Sequence, residues 1–408
     1  MGLPVPLAGE RRAVTEGAMT ETAVIGAGPA GCAAAITLAR AGRQVTLIDR
    51  CASAPESVCG EFLSEDAVSL LRGLGLTPLS LGAVRLHGLR VAAGARVAAA
   101  SLPFAAYGLP RQRLDAALRD LAISCGVKLI AGVTVQGADP APEGWSLRGT
   151  PVRARHAVLA TGKHAFRGQP RASRSRAVGL KLHLEELHLA PEIALLRFQG
   201  GYAGLQPGPD GRANLCLALT GPVPSGTEGL LERVRGGSAL AGRLLAEARP
   251  AWTRPLAVAG LPFGFVHCGT GDLYRVGDQL SVIPSLAGDG IAMALASGIA
   301  AAESIVLGRN AAEFHRAWGR RIAPQMQLAM AGAWLFRSMP AVFMAALGSA
   351  AFRGLMRATR LSGQSAARAD AVSLSRAGLS GALGASGFYG PIRGTAPDPP
   401  RPPGRARP

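Results

Sequence analysis

Apolar and polar positions alternate in two rhythms along this chain. Thr22–Gly26 and Gln44–Ile48 are short apolar runs of strand length, and the Ala-rich stretch Pro29–Ala41 between them has helical spacing. Ser64–Gly73 reads as a helix with Ser64 as its N-cap. Val84–Val91 and Arg96–Leu102 alternate like paired strands. Arg113–Cys125 sets Leu114, Leu118 and Leu121 on one helical face, and Val127–Ile130, Val133–Val135 and His156–Ala160 return to strands. This β-α-β opening predicts a three-layer α/β domain. From Gly168 to about Gly269 the pattern changes. Ala177–Leu184, Ile193–Phe198 and Asn214–Leu219 look like antiparallel strands between Gly/Pro turns. A strand at Leu273–Val276 and helices at about Ala287–Leu307 and Ala311–Gly332 follow, so one domain is expected to be interrupted by another.

Composition narrows the class. Hydrophobic residues make up 48% of 408 positions and charged residues 17%, which excludes a disordered chain, a coiled coil and a small disulfide scaffold. Six cysteines at irregular spacing, without a CxxC, point to reduced thiols in a cytoplasmic protein. The net charge is +18, carried almost wholly by Arg, with lysine only at positions 128, 163 and 181. No helix-turn-helix, zinc-finger or RNP pattern accompanies it, so nucleic acid is not an expected partner. Basic charge also suits phosphates and anionic membrane surfaces. Residues 328–352 are apolar but interrupted by Arg337 and Pro340, and the run after Arg337 is too short to span a bilayer. Buried helices are expected there. A helix pair lying on a membrane surface, or capping a greasy substrate, is the alternative, and with it peripheral membrane contact. The oligomeric state stays open.

One motif carries chemistry. Gly26-Ala27-Gly28-Pro29-Ala30-Gly31 follows an apolar strand and opens a helix, and Asp49 ends the next strand. Gly26 allows a tight turn, Gly28 lets the backbone approach a pyrophosphate at the positive helix end, and Gly31 lets helix and strand pack closely. Asp49, beside Arg50, can accept hydrogen bonds from an adenosine ribose. Farther on, Asp278 follows a strand, and Pro284-Ser285-Leu286-Ala287-Gly288-Asp289-Gly290-Ile291 leads into a helix. A carboxylate there can hold a ribityl hydroxyl, and free N–H groups at a helix start can bind the electron-rich edge of a flavin.

With GxGxxG, Asp49, Cys59-Gly60-Glu61-Phe62-Leu63-Ser64, Arg111-x-x-Leu114-Asp115, Ala160-Thr161-Gly162 and Gly277-Asp278 followed by Pro-x-x-x-Gly-x-Gly, the chain resembles the FAD-dependent aromatic hydroxylase (group A flavin monooxygenase) and geranylgeranyl reductase superfamily over about Thr22–Leu307. The resemblance implies an α/β fold: an FAD-binding Rossmann-like three-layer domain interrupted by an antiparallel β-sheet substrate domain, with C-terminal helices. It implies FAD as cofactor and NADPH or NADH as electron donor. Gly26, Gly28, Pro29, Ala30, Gly31, Asp49, Arg50, Thr161 and Gly162 would line the cofactor. Arg111 would meet its phosphate or ribityl region, Val135 the adenine through its backbone, Asp278 the ribityl chain, and Gly288, Asp289, Gly290 and Ile291 the ring edge. The expected boundaries are a leader at 1–18, omitted if translation starts at Met19; a first FAD-binding part at 19–167 with a β insertion near 82–104; a substrate domain at 168–269; the last FAD-binding part at 270–307; C-terminal helices at 308–361; and a basic tail at 362–408.

Three departures bear on the reaction. Thr161-Gly162-Lys163-His164 stands where group A hydroxylases carry an Asp-Gly that serves FAD and NAD(P)H. Cys59-Gly60-Glu61 resembles the Cys-Gly-Gly of the reductases with Glu61 in place of a Gly. The WxWxIP motif of flavin halogenases is absent. The expected activity is NAD(P)H-driven monooxygenation of a hydrophobic aromatic, polyketide or lipid-like molecule. Reduction of a carbon–carbon double bond stands close behind, and a non-catalytic flavin-binding sensor or scaffold is a third reading. No catalytic residue is fixed. Cys59 either tunes the flavin or is a packing residue, Glu61 relays protons or is a solvated acid, and Tyr202 lines the substrate chamber or the core. Lys163, His164, Arg167, Arg171, Arg174 and Arg176 form a basic stretch for phosphate or a solvated linker. No zinc-ligand spacing occurs, so no metal is expected.

Overall fold

The computed structural model describes residues 19–171 and 177–361. The expected leader, the basic tail, Arg174 and Arg176 lie outside the described residues.

Two sheets organise the chain. The first contains β1 (Met19–Ile25), β2 (Val45–Asp49), β6 (Lys128–Ala131), β7 (Gly137–Ala141), β8 (Gly144–Arg148), β9 (Arg153–Leu159) and β16 (Tyr274–Arg275), in the order β6-β2-β1-β9-β8-β7 with β16 also paired to β9. The strands β6, β2, β1, β9 and β16 are parallel, and the β7–β8 hairpin is antiparallel. Period-two alternation assigns the faces of β1. Val24 faces a core built from α1 (Pro29–Arg40), α3 (Arg111–Ser124) and α6 (Gly290–Val306), while Ala23 and Ile25 join Leu147 and Leu159 on the other side.

The second sheet contains β3 (Phe62–Leu63), β4 (Val84–Ala93), β5 (Arg96–Gly108), β10 (Val178–Glu185), β11 (Glu192–Phe198), β12 (Gly201–Pro207), β13 (Ala213–Leu219), β14 (Arg249–Pro250) and β15 (Leu256–Val258). The strands between Val178 and Val258 pair antiparallel, as expected, and the strands near 82–104 join them in the same sheet. β4 pairs with β11 in parallel, from Glu192 opposite Gly88 to Arg197 opposite Ala93. The two strands come from separate excursions of the chain, so no hairpin dictates their direction. Through this pairing the strands near 82–104 share a sheet with those of 178–219. One face is packed by α4 (Gly226–Arg235) and α5 (Ala239–Leu244). The opposite face carries the end of α7 (Ala311–Ser338), α8 (Pro340–Ala346) and α9 (Ala350–Ala358).

Two further differences are local. Val133–Val135 is a loop, not a strand: Val133 N–H bonds the Asp49 carbonyl past the end of β2, which leaves no ladder for the segment. Gly201–Pro207 is a full central strand, although its two glycines and terminal proline hide the alternation. Ser64 caps α2 (Glu65–Gly73) as expected, accepting from Ala67 N–H at 3.4 Å.

Candidate FAD site and a buried charge cluster

The glycine-rich turn is built by steric exclusion. Gly26 has φ +105°, and a Cβ there would lie 2.5 Å from the Ala160 carbonyl oxygen. A Cβ on Gly31 would lie 1.9 Å from the Gly26 oxygen. Both glycines are therefore required by the protein itself. Gly28 differs: its extra Cβ would meet nothing nearer than the Arg111 guanidinium at 3.7 Å. The α1 N-terminus beside it has no side-chain cap, so its first N–H groups remain available to an anion. Gly298 lets α6 press on the first turn of α1, where a Cβ would lie 2.1 Å from the Ala30 oxygen. The start of α6 likewise lacks a side-chain cap, and neither Gly162 nor Gly290 has an atom within 4 Å of a would-be Cβ. Open glycine surfaces, two uncapped helix starts and a flanking guanidinium fit a dinucleotide with a polar ring edge, as FAD would present.

The flanking residues have defined partners. Asp49 accepts from Ala27 N–H at 2.7 Å and Cys51 N–H at 2.8 Å, and pairs with Arg119 at 3.1 Å. It is held at the end of β2, with Val135 in the adjoining loop. Arg119 was not singled out by any sequence motif. Arg50 meets His164 Nε2 at 2.7 Å. Burial first, then the Arg50 charge, hold the His164 imidazole below its ordinary pKa. Thr161 and Gly162 are tied to Gln279, whose Nε2 donates to Thr161 Oγ1 at 3.0 Å and to the Gly162 carbonyl at 2.8 Å. Arg111 is pinned by Asp115 through bonds of 2.8 and 2.9 Å, and although burial opposes its charge, the carboxylate raises the guanidinium pKa further. Asp278 lies in a half-buried turn, its carbonyl accepting from Arg171 at 3.1 Å.

Two expectations change. The Asp289 carboxylate does not face the cofactor crevice. It is fully buried and accepts from Ser64 Oγ at 2.6 Å, Gln325 Nε2 at 2.8 Å and Arg360 at 3.1 Å, so the ring-edge segment offers backbone at this position. The residues joining it, Gln325 and Arg360, come from the C-terminal helical region. The basic stretch is only partly solvated where it is described: His164 and Arg167 are exposed, whereas Lys163 and Arg171 are half-buried and tied to backbone. Lys163 Nζ donates to the Val58 carbonyl, and Arg171 donates to the carbonyls of Gly162, Lys163 and Asp278.

Glu61 is buried to 2% exposure, which corrects the solvated-acid alternative. Its φ of +58° is one that glycine adopts freely, so the acid occupies a glycine conformation at a cost of about 1–2 kcal/mol. Its side chain gives the physical reason. Oε1 accepts from Lys181 Nζ at 2.5 Å and from Arg111 N–H at 3.0 Å, and Oε2 bonds His183 Nε2 at 3.1 Å. Lys181, at 0% exposure, also reaches Glu56 at 2.7 Å. The Trp252 ring covers this cluster, 4.8 Å from the His183 ring and 5.8 Å from Lys181 Nζ. Burial works against ionisation of Glu61, but His183 and Lys181 overcome it and hold the carboxyl below its ordinary range. Glu56, Glu61 and His183 place ligand atoms within 4.8 Å of one another, but the Lys181 ammonium already bonds both carboxylates. A cleft of about 40 Å³ lined by Glu56, Glu61, His183 and Asn214 among others adjoins the cluster.

Cys59 links this cluster to the cofactor crevice. Its Sγ accepts from Glu61 N–H at 3.4 Å and lies against the Arg111 guanidinium that borders Gly28. Tyr202, on β12, is buried and bonds Ser285 Oγ at 2.6 Å, which joins the second sheet to the turn before Gly288. Burial raises its hydroxyl pKa to about 12, partly offset by the Ser285 bond.

Residues 19–146 match the FAD binding domain family. A menaquinone reductase of Mycolicibacterium smegmatis is 38% identical over 120 residues, 28% of this chain and 29% of that protein. A 6-methylpretetramide 4-monooxygenase of Streptomyces rimosus is 37% identical over 70 residues, 17% of each chain. The chain thus aligns with less than half the length of these relatives. The solved structure of a flavin-dependent brominase superposes with a TM-score of 0.71 at 18% identity, covering 84% of this chain and 93% of that one. Residues 19–146 thus match the FAD-binding domain family, and the chain shares the fold of the brominase structure.

Proposed function

We propose that this protein is an FAD-dependent oxidoreductase that reduces a hydrophobic, lipid-like small molecule, with NADPH or NADH as electron source. Bound FAD would supply two-electron redox chemistry. Residues around Gly28, Gly162 and Gly290 would hold it, with Arg111 beside the pyrophosphate. The observation that carries the reductase reading is the position of Cys59, a thiol set between the Arg111 guanidinium and the Glu61–Lys181–His183 cluster. Saturating a carbon–carbon double bond adds a hydride equivalent to one carbon and a proton to the other. A thiol beside a buried acid–base cluster can deliver that proton and be reprotonated from the adjoining cleft. The longer alignment with a menaquinone reductase supports the same reading.

Monooxygenation is the second reading, favoured by the likeness to a 6-methylpretetramide 4-monooxygenase. The two separate cleanly by oxygen dependence. Chemically reduced protein, incubated anaerobically with a lipid-quinone or polyprenyl fraction, is expected to yield a product heavier by two hydrogens. Cys59→Ser is expected to slow that turnover at least tenfold while retaining FAD. A product that forms only in air and carries label from ¹⁸O₂ would establish the monooxygenase instead.

A further inference from the structure

The corner between α7 and α8 has an unusual surface. Met330, Trp334, Met339 and Val342 are 40%, 60%, 44% and 48% exposed, which places four large apolar side chains at the surface within residues 330–342. Met330 and Trp334 are four residues apart on α7 and share a face. Met339 stands at the junction, where the chain turns by 118° into α8. Isolated exposed apolar residues are ordinary, but four large ones within thirteen residues, Trp among them, point to a contact surface.

The inner side of the corner is a packed aromatic cluster. The Phe336 ring stands 5.1 Å from Phe343 and 5.8 Å from Tyr202, and Phe343 stands 5.2 Å from Phe352 of α9. This holds the apolar outer side in a fixed place over the second sheet. Tyr202 in turn reaches Ser285 in the turn before Gly288.

Charge identifies the partner. From Phe314 to Leu361 the sequence has seven arginines and no acidic residue. Arg360 is used by Asp289, but Arg337, Arg353 and Arg357 are exposed and form no ion pair among the described residues. A second copy of this chain, presenting the same face across a two-fold axis, would set arginine against arginine. Among the described residues no single helix is long and apolar enough to cross a bilayer, and the α7–α8 pair passes that test only as a sharply bent unit. The surface therefore suits lying on a membrane, with an apolar edge and a cationic rim.

We propose that the α7–α8 corner docks on an anionic phospholipid bilayer. Trp334, Met330, Met339 and Val342 enter the boundary between headgroups and acyl chains, and Arg337, Arg353 and Arg357 meet lipid phosphates. Docking brings the bilayer against the aromatic cluster that backs the second sheet. That purpose, delivery of a lipid-like substrate, rests on the function proposed above, while the docking itself is measured independently.

The test is flotation of the full-length protein with vesicles of phosphatidylcholine alone or with about 30% phosphatidylglycerol. The polypeptide and its FAD absorbance are followed separately. Wild-type protein is expected to float with the anionic vesicles and to be released by high salt. Met330→Ser/Trp334→Ser should lower partitioning at least tenfold, since two large apolar side chains no longer leave water. Arg353→Gln/Arg357→Gln should lower it about 25-fold, from about 1 kcal/mol, or fivefold, per cation. Quenching of tryptophan fluorescence by brominated lipid should disappear with Trp334→Ser. Unchanged flotation of both double variants would overturn the proposal and assign attachment to the Arg-rich residues 362–408. Equal binding to neutral vesicles at low salt, or a dimer that dissociates with Trp334→Ser, would also overturn it. Colourless protein that still floats in this pattern would refute the cofactor assignment alone.

Discussion

Glu61 and Asp289 are both carboxylates removed from water, and their surroundings drive them in opposite directions. Glu61 lies between Lys181 and His183, with Arg111 N–H as a further donor, and its pKa is depressed. Asp289 has more complete burial, one cation (Arg360) and two neutral donors (Ser64 and Gln325), and its pKa is raised. In both cases burial opposes the charge and is the largest influence. What differs is how much positive charge stands against it. The two acids also do different work. Asp289 fastens α6 to α2, α7 and the segment after α9, so it fixes the backbone on which a flavin ring edge would rest. Glu61 fixes a strained loop that carries Cys59 to the crevice.

The largest expected effect comes from removing the cation beside Glu61. Lys181→Met leaves a buried, underpaired carboxylate, and urea denaturation should show a loss of about 3–5 kcal/mol. Adding Glu61→Gln should restore a substantial part of that loss, because the unpaired charge disappears with it. If the double variant is as unstable as the sum of the singles, the two residues do not act as a pair. Asp289→Asn is expected to cost less, about 1–3 kcal/mol, since an amide oxygen can still accept from Ser64 while Arg360 loses its counter-ion.

Acid sharpens the contrast. The Glu61 carboxyl is depressed in the folded state, so its stabilisation is full above the ordinary value of 4.5 and is lost as pH falls through the lower folded value. Asp289 is raised, so its folded form holds a proton more tightly than the unfolded chain. Its linkage contribution is most favourable below the ordinary 3.8 and declines as pH rises to the folded value. Stability curves from pH 3 to 7 should therefore show the deficit of Glu61→Gln shrinking toward acid and that of Asp289→Asn growing. Deficits that run parallel across this range would contradict the opposite shifts.

The smallest predicted effect concerns the rim of the same region. Tyr202→Phe removes one hydrogen bond to Ser285 and should cost about 1 kcal/mol. A cost above about 3 kcal/mol would mean that the hydroxyl organises more of the ring-edge turn than this single bond.

The comparison also explains what the sequence disclosed. The glycine fingerprint was legible because its spacing is compact in the chain: Gly31 meets the Gly26 oxygen five residues back, although the demand on Gly26 itself comes from Ala160, far along the sequence. The parallel strands β1, β2, β6, β9 and β16 were legible as short apolar runs, whereas β7 (GADPA) and β8 (GWSLR) carry no such pattern. The charge cluster was not read, since its members lie at positions 56, 61, 181 and 183 and meet only through the tertiary fold. A signal was present: Lys181 and His183 stand two apart in VGLKLHLE, so they share a strand face opposite Leu180, Leu182 and Leu184. Lys181 is moreover one of only three lysines in an Arg-rich chain. Glu61 stands where the resemblance has a glycine, but only the positive φ shows that it keeps the glycine's conformation. The burial of the Asp289 side chain is not legible, since a loop acid beside two glycines looks free and its partners Gln325 and Arg360 follow 36 and 71 residues later.

The central claim is that the crevice between the starts of α1 and α6 holds FAD. Its most direct test is the visible absorbance of purified full-length protein, with the heat-released flavin identified by chromatography. The account predicts a yellow protein carrying one noncovalent FAD per chain, and a colourless Gly28→Trp variant in which the side chain fills the open space beside Arg111. A folded wild-type protein that is colourless and takes up no added FAD would contradict it.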